Sequence, residues 1–126
     1  MTPAELWYTR EHEWLALQED GTVRVGITDF AQDTLGGIVF VALPNVGDVL
    51  AAGASFGEVE SHKSVSEVYA PIAGTITARN DAVETAPETI NDDPYGAGWL
   101  VEIRPASEVS AAEFLDAAAY DALAGN

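Results

Sequence analysis

Residues 57–74 read GEVESHKSVSEVYAPIAG. Val59 and Ser61 lead in on one face, with Glu58, Glu60 and His62 on the other. Val68, Ala70 and Ile72 lead out, offset by Glu67, Tyr69 and Pro71. Alternation with a period of two on both sides of a short polar segment predicts two half-buried strands joined by a tight connection. That connection carries Lys63, the only lysine in 126 residues. Apart from the N-terminus it is the one primary amine open to acylation. At a hairpin tip it stands exposed, away from any core.

The flanking segments read as further short strands. Residues 6–17 carry Trp7, Tyr8, Trp14 and Leu15 as apolar anchors of a first strand region. Glu19-Asp20-Gly21 is a turn signal, and residues 22–27 (TVRVGI) return as a strand. Thr28 caps a short helix over 29–35 that Gly36-Gly37 ends. Residues 38–43 (IVFVAL) are nearly continuous in apolar character and give the best core-strand candidate. Short strands follow at 49–50, 75–78 and 99–103, and 80–94 reads as a polar loop. Ser110 with Glu113 forms a capping box, and Phe114, Leu115, Ala118 and Leu123 give a helical stripe through Ala124. Many short strands with Gly/Pro turns and peripheral helices indicate a small β-sandwich or barrel. At this length the chain is expected to form a single domain, 1–126.

Composition narrows the function. Hydrophobic residues make up 48%, ordinary for a globular protein. No apolar run approaches the roughly 18 residues of a membrane span. The start, MTPAELWYTREHEW, has neither the basic and apolar regions of a secretory signal nor the character of a transit peptide. The expected location is the bacterial cytoplasm, although a mature organellar protein would look the same. Cysteine is absent, which removes disulfide scaffolds, thiolate metal sites and cysteine nucleophiles. Five basic against 21 acidic residues give a net charge of −16. Such a chain repels phosphate backbones and anionic membranes, so no nucleic-acid or membrane partner is expected. An acidic surface suits docking onto basic patches of partner proteins.

Three chemical readings of the hairpin compete. A Schiff-base lysine needs its pKa lowered by burial or a nearby cation, whereas the sequence neighbours Glu60 and Glu67 would hold the amine protonated. Glu58, Glu60 and His62 share a strand face, and two carboxylates with a histidine are a possible zinc or iron set, the enzyme alternative. The third reading is a carrier lysine. His12 reads as a packed or hydrogen-bonded turn residue.

The run Val59-Glu60-Ser61-His62-Lys63-Ser64-Val65-Ser66-Glu67-Val68-Tyr69-Ala70-Pro71 resembles the lipoyl-lysine segment of the H-protein family of the glycine cleavage system. Glu11-His12-Glu13-Trp14 resembles that family's N-terminal signature. Gly26-Ile27-Thr28-Asp29-Phe30-Ala31-Gln32 with Leu35-Gly36, and Val39-Phe40-Val41 with Leu43-Pro44 and Val46-Gly47, are similar to its next segments. Ile90-Asn91 with Asp93-Pro94-Tyr95-Gly96 and Gly98-Trp99 resembles its C-terminal signature. The likeness spans about 7–104, in order, and several motifs in sequence are far more specific than one.

The resemblance implies a mainly β fold: a flattened barrel-sandwich hybrid of two antiparallel sheets with a short internal helix and a C-terminal helix at about 110–124. It implies a non-catalytic carrier with lipoate amide-linked to Lys63. The arm would take the aminomethyl group of glycine from the pyridoxal-phosphate-dependent glycine decarboxylase to the tetrahydrofolate-dependent aminomethyltransferase. Dihydrolipoyl dehydrogenase would reoxidise it, and a lipoyl or octanoyl ligase or transferase would attach it. A monomer is expected. Loading restores a positive charge at the arm's end, and Glu13 and Glu67 are the candidate carboxylates to receive it. A lipoyl relay and a lipoyl domain of a 2-oxoacid dehydrogenase are the alternative carriers. His62, Gly37 and Glu67 depart from the family pattern, which has a small or apolar residue, often an acid, and commonly Asp at the matching places.

Overall fold

The structure, a computed structural model, describes residues 2–124. In chain order the elements are β1 (Trp7–Tyr8), β2 (Glu13–Leu17), β3 (Val23–Ile27), α1 (Asp29–Leu35), β4 (Ile38–Ala42), β5 (Val49–Leu50), β6 (Ser55–Ser61) and β7 (Val65–Tyr69). Then come β8 (Gly74–Arg79), α2 (Asp81–Thr85), α3 (Thr89–Asp92), β9 (Val101–Pro105), a 3-10 turn (Ala111–Glu113) and α4 (Ala117–Ala124). One sheet has six strands in the order β1-β2-β3-β9-β8-β5, the other three in the order β4-β6-β7. Every pairing is antiparallel. The two sheets do not close into a barrel. The expected mainly β architecture of two antiparallel sheets is therefore present, and among the described residues no helix is long and apolar enough to cross a membrane.

Local chemistry explains the early elements. Asp20 Oδ1 accepts from Thr22 N at 3.0 Å and from Thr22 Oγ1 at 2.6 Å, which closes the β2–β3 turn. Thr28 Oγ1 accepts from Ala31 N at 3.2 Å and so caps α1. Gly36, at φ 88° and ψ −161°, ends α1 in backbone space that glycine alone enters readily.

The main core lies between the sheets. Leu15, Val25 and Ile27 from one sheet meet Val41, Val59 and Val68 from the other, with Ile76, Leu100, Val101 and Ile103 beneath. A second cluster, Leu6, Tyr8, Trp14 and Tyr120, sits on the opposite face of β2. Successive strand residues point to opposite faces, so burial of both Trp14 and Leu15 means that β2 is covered on both sides. On the Trp14 side the cover includes Tyr120 of α4 and Tyr95, and Trp14 Nε1 donates to Pro94 O at 2.9 Å.

Three expectations need correction. The candidate core strand at 38–43 reaches the core only through Ile38 and Val41, with Leu43 against them: β4 is an edge strand with an irregularity between Ile38 and Phe40, which leaves Val39 and Phe40 exposed. Residues 80–94 are not merely a loop. They hold α2 and α3, whose Val83 and Ile90 are completely buried. Helices of five and four residues show too few turns for a periodic pattern. The C-terminal segment is not one helix over 110–124. Ser110 caps only the 3-10 turn, and Leu115 then forms an extended bridge with Tyr8, with hydrogen bonds of 2.8 Å in both directions. Phe114 stacks on Trp7 at 5.9 Å. That pairing with β1 outweighs local helix propensity, and α4 starts afresh where Asp116 Oδ1 accepts from Ala119 N at 2.8 Å.

Candidate functional site

The β6–β7 hairpin forms as the alternation predicts. Glu60 pairs with Val65, Val59 with Ser66 and Glu58 with Glu67. Val59, Ser61, Val68 and Ala70 are buried. Phe56 is buried too, although strict alternation would turn it outward; the irregularity between Ser55 and Gly57 changes the parity. Four residues make the tip. Ser61 N donates to Ser64 O at 2.8 Å, and the buried Ser61 Oγ accepts from Lys63 N at 3.3 Å and Ser64 N at 3.2 Å. Neither His62 nor Lys63 takes a positive φ, so this is not the primed turn of a typical two-residue hairpin. The Ser61 hydroxyl holds it instead. Lys63 is exposed at the end of that turn.

The outer face of β7 carries Val65, Glu67 and Tyr69 at alternate positions, leading away from Lys63. Val65 is 52% exposed. Glu67 is exposed and stands opposite Glu58 in the ladder. Glu58 and Glu60 do face outward as read, yet among the described residues no three acidic or histidine side chains converge to hold a metal ion.

Glu13 is placed very differently from Glu67. It sits at the start of β2, only 2% exposed. Its carboxylate spans the gap between the two sheets: Oε2 accepts from Tyr69 N at 2.7 Å and Oε1 from Thr9 Oγ1 at 3.2 Å. The first bond satisfies an amide of an edge strand that no neighbouring strand can reach. Burial pushes the Glu13 carboxyl up to about 7, despite the opposing pull of the Tyr69 and Thr9 hydrogen bonds.

Glu13 lines a cleft of about 460 Å³ together with Tyr8, Thr9, Tyr69, Phe114 and Leu115. Glu11, Glu113 and Arg10 also line it, whereas Glu67 does not. The walls are mostly aromatic and aliphatic, with one buried carboxylate between them. Such a cleft suits a largely apolar chain that ends in a cation. Sequence reading found Glu13 but missed Tyr69, Phe114 and Leu115. Tyr69 is legible as an outward residue of β7, while the other two fit the helical stripe of the C-terminal segment.

A polar relay supports the cleft from behind. Tyr120 Oη lies 2.7 Å from both Thr28 Oγ1 and His12 Nδ1. Tyr120 Oη thus bridges the Thr28 hydroxyl, which also accepts from Ala31 N, and the His12 ring. Burial lowers the His12 pKa and so favours the neutral ring in this chain of contacts. His12 stacks on Phe30 at 4.8 Å and takes φ 66°, a left-handed turn conformation in which histidine is enriched. It is thus the packed, hydrogen-bonded turn residue that the sequence suggested.

Comparison with known proteins agrees with this geometry. A family profile described as Glycine cleavage H-protein matches residues 6–125. The glycine cleavage system H protein of Mycobacterium leprae (strain TN) is 57% identical over 120 residues, covering 95% of this chain and 90% of that protein. The H protein of Mycobacterium avium (strain 104) is 57% identical over 122 residues, covering 94% and 92%. The crystal structure of a glycine cleavage system H protein from Mycobacterium marinum superposes with a TM-score of 0.89 at 45% identity, covering 98% of this chain and 99% of that one. With the hairpin, the two sheets and these relatives in agreement, the chain belongs to the glycine cleavage H-protein family, the lipoyl carriers of the glycine cleavage system.

Proposed function

We propose that Lys63 is the lipoyl attachment site and that the chain acts as a carrier without catalysis of its own. The observation that carries this is the placement of the only lysine at an exposed tip held by Ser61. Acylation leaves four basic against 21 acidic residues, a net charge of −17. When attached, lipoate supplies a disulfide that accepts the aminomethyl group from glycine decarboxylase, yields it to the aminomethyltransferase and is reoxidised by dihydrolipoyl dehydrogenase.

The chain's own residues provide a path and a destination for the loaded arm. Val65 and Tyr69 give apolar contact along the outer face of β7, and Glu67 lies between them as an exposed carboxylate. Glu13 receives the amine in the cleft, where low local dielectric makes opposite charges attract more strongly than in bulk water. The aromatic walls exclude water and slow loss of the carried group. The cytoplasm is the expected compartment, a lipoyl or octanoyl ligase or transferase the modifying enzyme, and a single carrier domain and monomer the working unit.

Intact mass with a tryptic map tests the attachment. One lipoyl increment and a missed cut at Lys63 are expected. A bare Lys63 from cells that make lipoate overturns the reading. Decay of the loaded arm should accelerate in Glu13→Gln and, by less, in Glu67→Gln. Unchanged decay in both variants removes the cleft from the account.

A further inference from the structure

The end of the Lys63 side chain lies over Gly36. A Cβ placed on Gly36 would stand 3.5 Å from Lys63 Cε and 3.9 Å from Nζ. The Gly36 peptide is held from the far side by a residue much later in the chain. Asn91 Nδ2 donates to Gly36 O at 3.0 Å and to Gln32 Oε1 at 2.8 Å, while Asn91 Oδ1 accepts from Ile38 N at 2.9 Å. Ile38 in turn stands opposite Ser61 in the β4–β6 ladder, and Ser61 Oγ binds the amides of Lys63 and Ser64. Two routes therefore join Asn91 to Lys63. One runs beneath the side chain through Gly36, the other through the backbone by way of Ile38 and Ser61. The three hydrogen bonds of the Asn91 amide thus go to α1 (Gln32), to Gly36 just after it and to Ile38 at the start of β4.

We propose that Asn91 is a positioning residue for acylation of Lys63: it fixes residues 36–38, on which the tip turn and the lysine side chain rest. The proposal builds on the attachment reading above. In that step neutral Nζ attacks the carbonyl carbon of an activated lipoyl or octanoyl group, an adenylate or thioester held by the attaching enzyme. The C–N bond forms, the bond to the adenylate or thiol breaks, and the surplus proton of the amine passes to a base or to solvent. A lysine on a loosened support meets that carbonyl in the required orientation less often, and displacements on the order of 1 Å can cost up to a hundredfold in rate. The attaching enzyme's hold on the rest of the surface is untouched, so the loss falls on kcat.

Asn80 provides a matched control. Asn80 is buried where Asn91 is half-buried, and like Asn91 its amide NH2 has two acceptors, here Ala97 O at 2.8 Å and Trp99 O at 2.7 Å, but it makes no hydrogen bond to 36–38 or 61–64. The unmodified full-length chain and its Asn91→Ala, Asn91→Asp and Asn80→Ala variants are incubated with a lipoyl-protein ligase, octanoate and ATP. Initial acylation rates are read by intact mass at temperatures where each variant is folded. Amide exchange at Lys63 and Ser64 is measured in parallel. Asn91→Ala should lose roughly tenfold in kcat with KM retained, and the two tip amides should exchange faster in the Asn91 variants but not in Asn80→Ala. Asn91→Asp keeps the acceptor for Ile38 N but loses both donors, so it should fall between; if Asn91→Ala does not fold, this variant carries the comparison. Asn80→Ala should match the parent rate even where it is equally destabilised. Acylation of the Asn91 variants at the parent rate, or equal slowing in Asn80→Ala, overturns the positioning role and leaves Lys63 as the attachment site. A parent chain that takes up no octanoyl group overturns both.

Discussion

Glu13 offers the sharpest perturbation. Its carboxyl is raised from 4.5 to about 7 by burial. A carboxyl that holds its proton more tightly in the folded than in the unfolded chain favours folding in acid. That contribution is fully present below pH 4.5 and is lost as pH rises through about 7. The span is about 2.5 pH units at 1.36 kcal/mol each, so ionising Glu13 in the fold costs on the order of 3 kcal/mol. Glu13→Gln removes the ionisation and keeps the shorter contact: its amide oxygen still accepts from Tyr69 N, while Thr9 Oγ1, which already accepts from Glu11 N and Glu13 N, gives up only its longer bond to Oε1. Urea unfolding followed by tryptophan fluorescence, at pH 5 to 8, gives the stability difference between the two proteins. Other titrating groups are common to both and cancel. The variant should nearly match the parent in acid and exceed it by on the order of 3 kcal/mol at pH 8, on the order of 10 °C in Tm. A difference that stays flat across that range, or a variant that is weaker at pH 8, refutes the claim that Glu13 is an ionised group held under a desolvation cost.

Other expectations follow from the same neighbourhood. Tyr120→Phe takes the hydroxyl away from both Thr28 and His12 and should cost about 1–3 kcal/mol in urea unfolding, since the buried Thr28 hydroxyl and the half-buried His12 ring lose a partner. Gly26→Ala brings a Cβ to 2.6 Å from the Trp14 ring and should destabilise by about 1–3 kcal/mol, with a shift in the Trp14 emission that marks its displacement. His12 should titrate below 6.5 by NMR because burial disfavours its cation. Its depressed pKa contributes stability that is present above 6.5 and lost in acid, the opposite sense to Glu13 beside it; a titration at or above 6.5 counts against the neutral relay.

The parts of this molecule that were legible in the sequence are those in which a local pattern and the tertiary environment ask for the same thing. The β6–β7 alternation, the Thr28 cap and the Asp20-Gly21 turn each determine their own geometry within a few residues. The misread parts are those in which the deciding partner is distant. Phe114 and Leu115 fit a helical stripe, yet Trp7 and Tyr8 lie more than a hundred positions away and draw them into an extended bridge. Val39 and Phe40 look like core residues, but β4 lies at a sheet edge, which no window of ten residues can reveal. The cleft was invisible for the same reason. Its walls come from 8–13, from 69–71 and from 112–115, and only the folded chain brings them together. Glu67 lies close to Lys63 in sequence, whereas Glu13 is the carboxylate that the fold buries in the cleft.

The same burial gives the cleft a reason to discriminate between a loaded and an unloaded arm. An uncharged arm offers Glu13 nothing to pair with, and near pH 7 the carboxyl is about half protonated. An amine entering the cleft supplies the missing opposite charge, so ionised Glu13 becomes the favoured form and its pKa falls. Docking at pH 7 should therefore release about half a proton to solvent, and at pH 5 up to about one, because the protonated fraction is larger there. The carboxyl carbon of Glu13, followed by NMR in loaded and unloaded protein, reports this directly. In the loaded form its titration should move well below 7, and the loaded arm should decay faster as acid neutralises Glu13. An unchanged titration, with decay indifferent to pH through that range, would separate the cleft from the carried group and leave Glu13 as a structural clasp between β2 and β7.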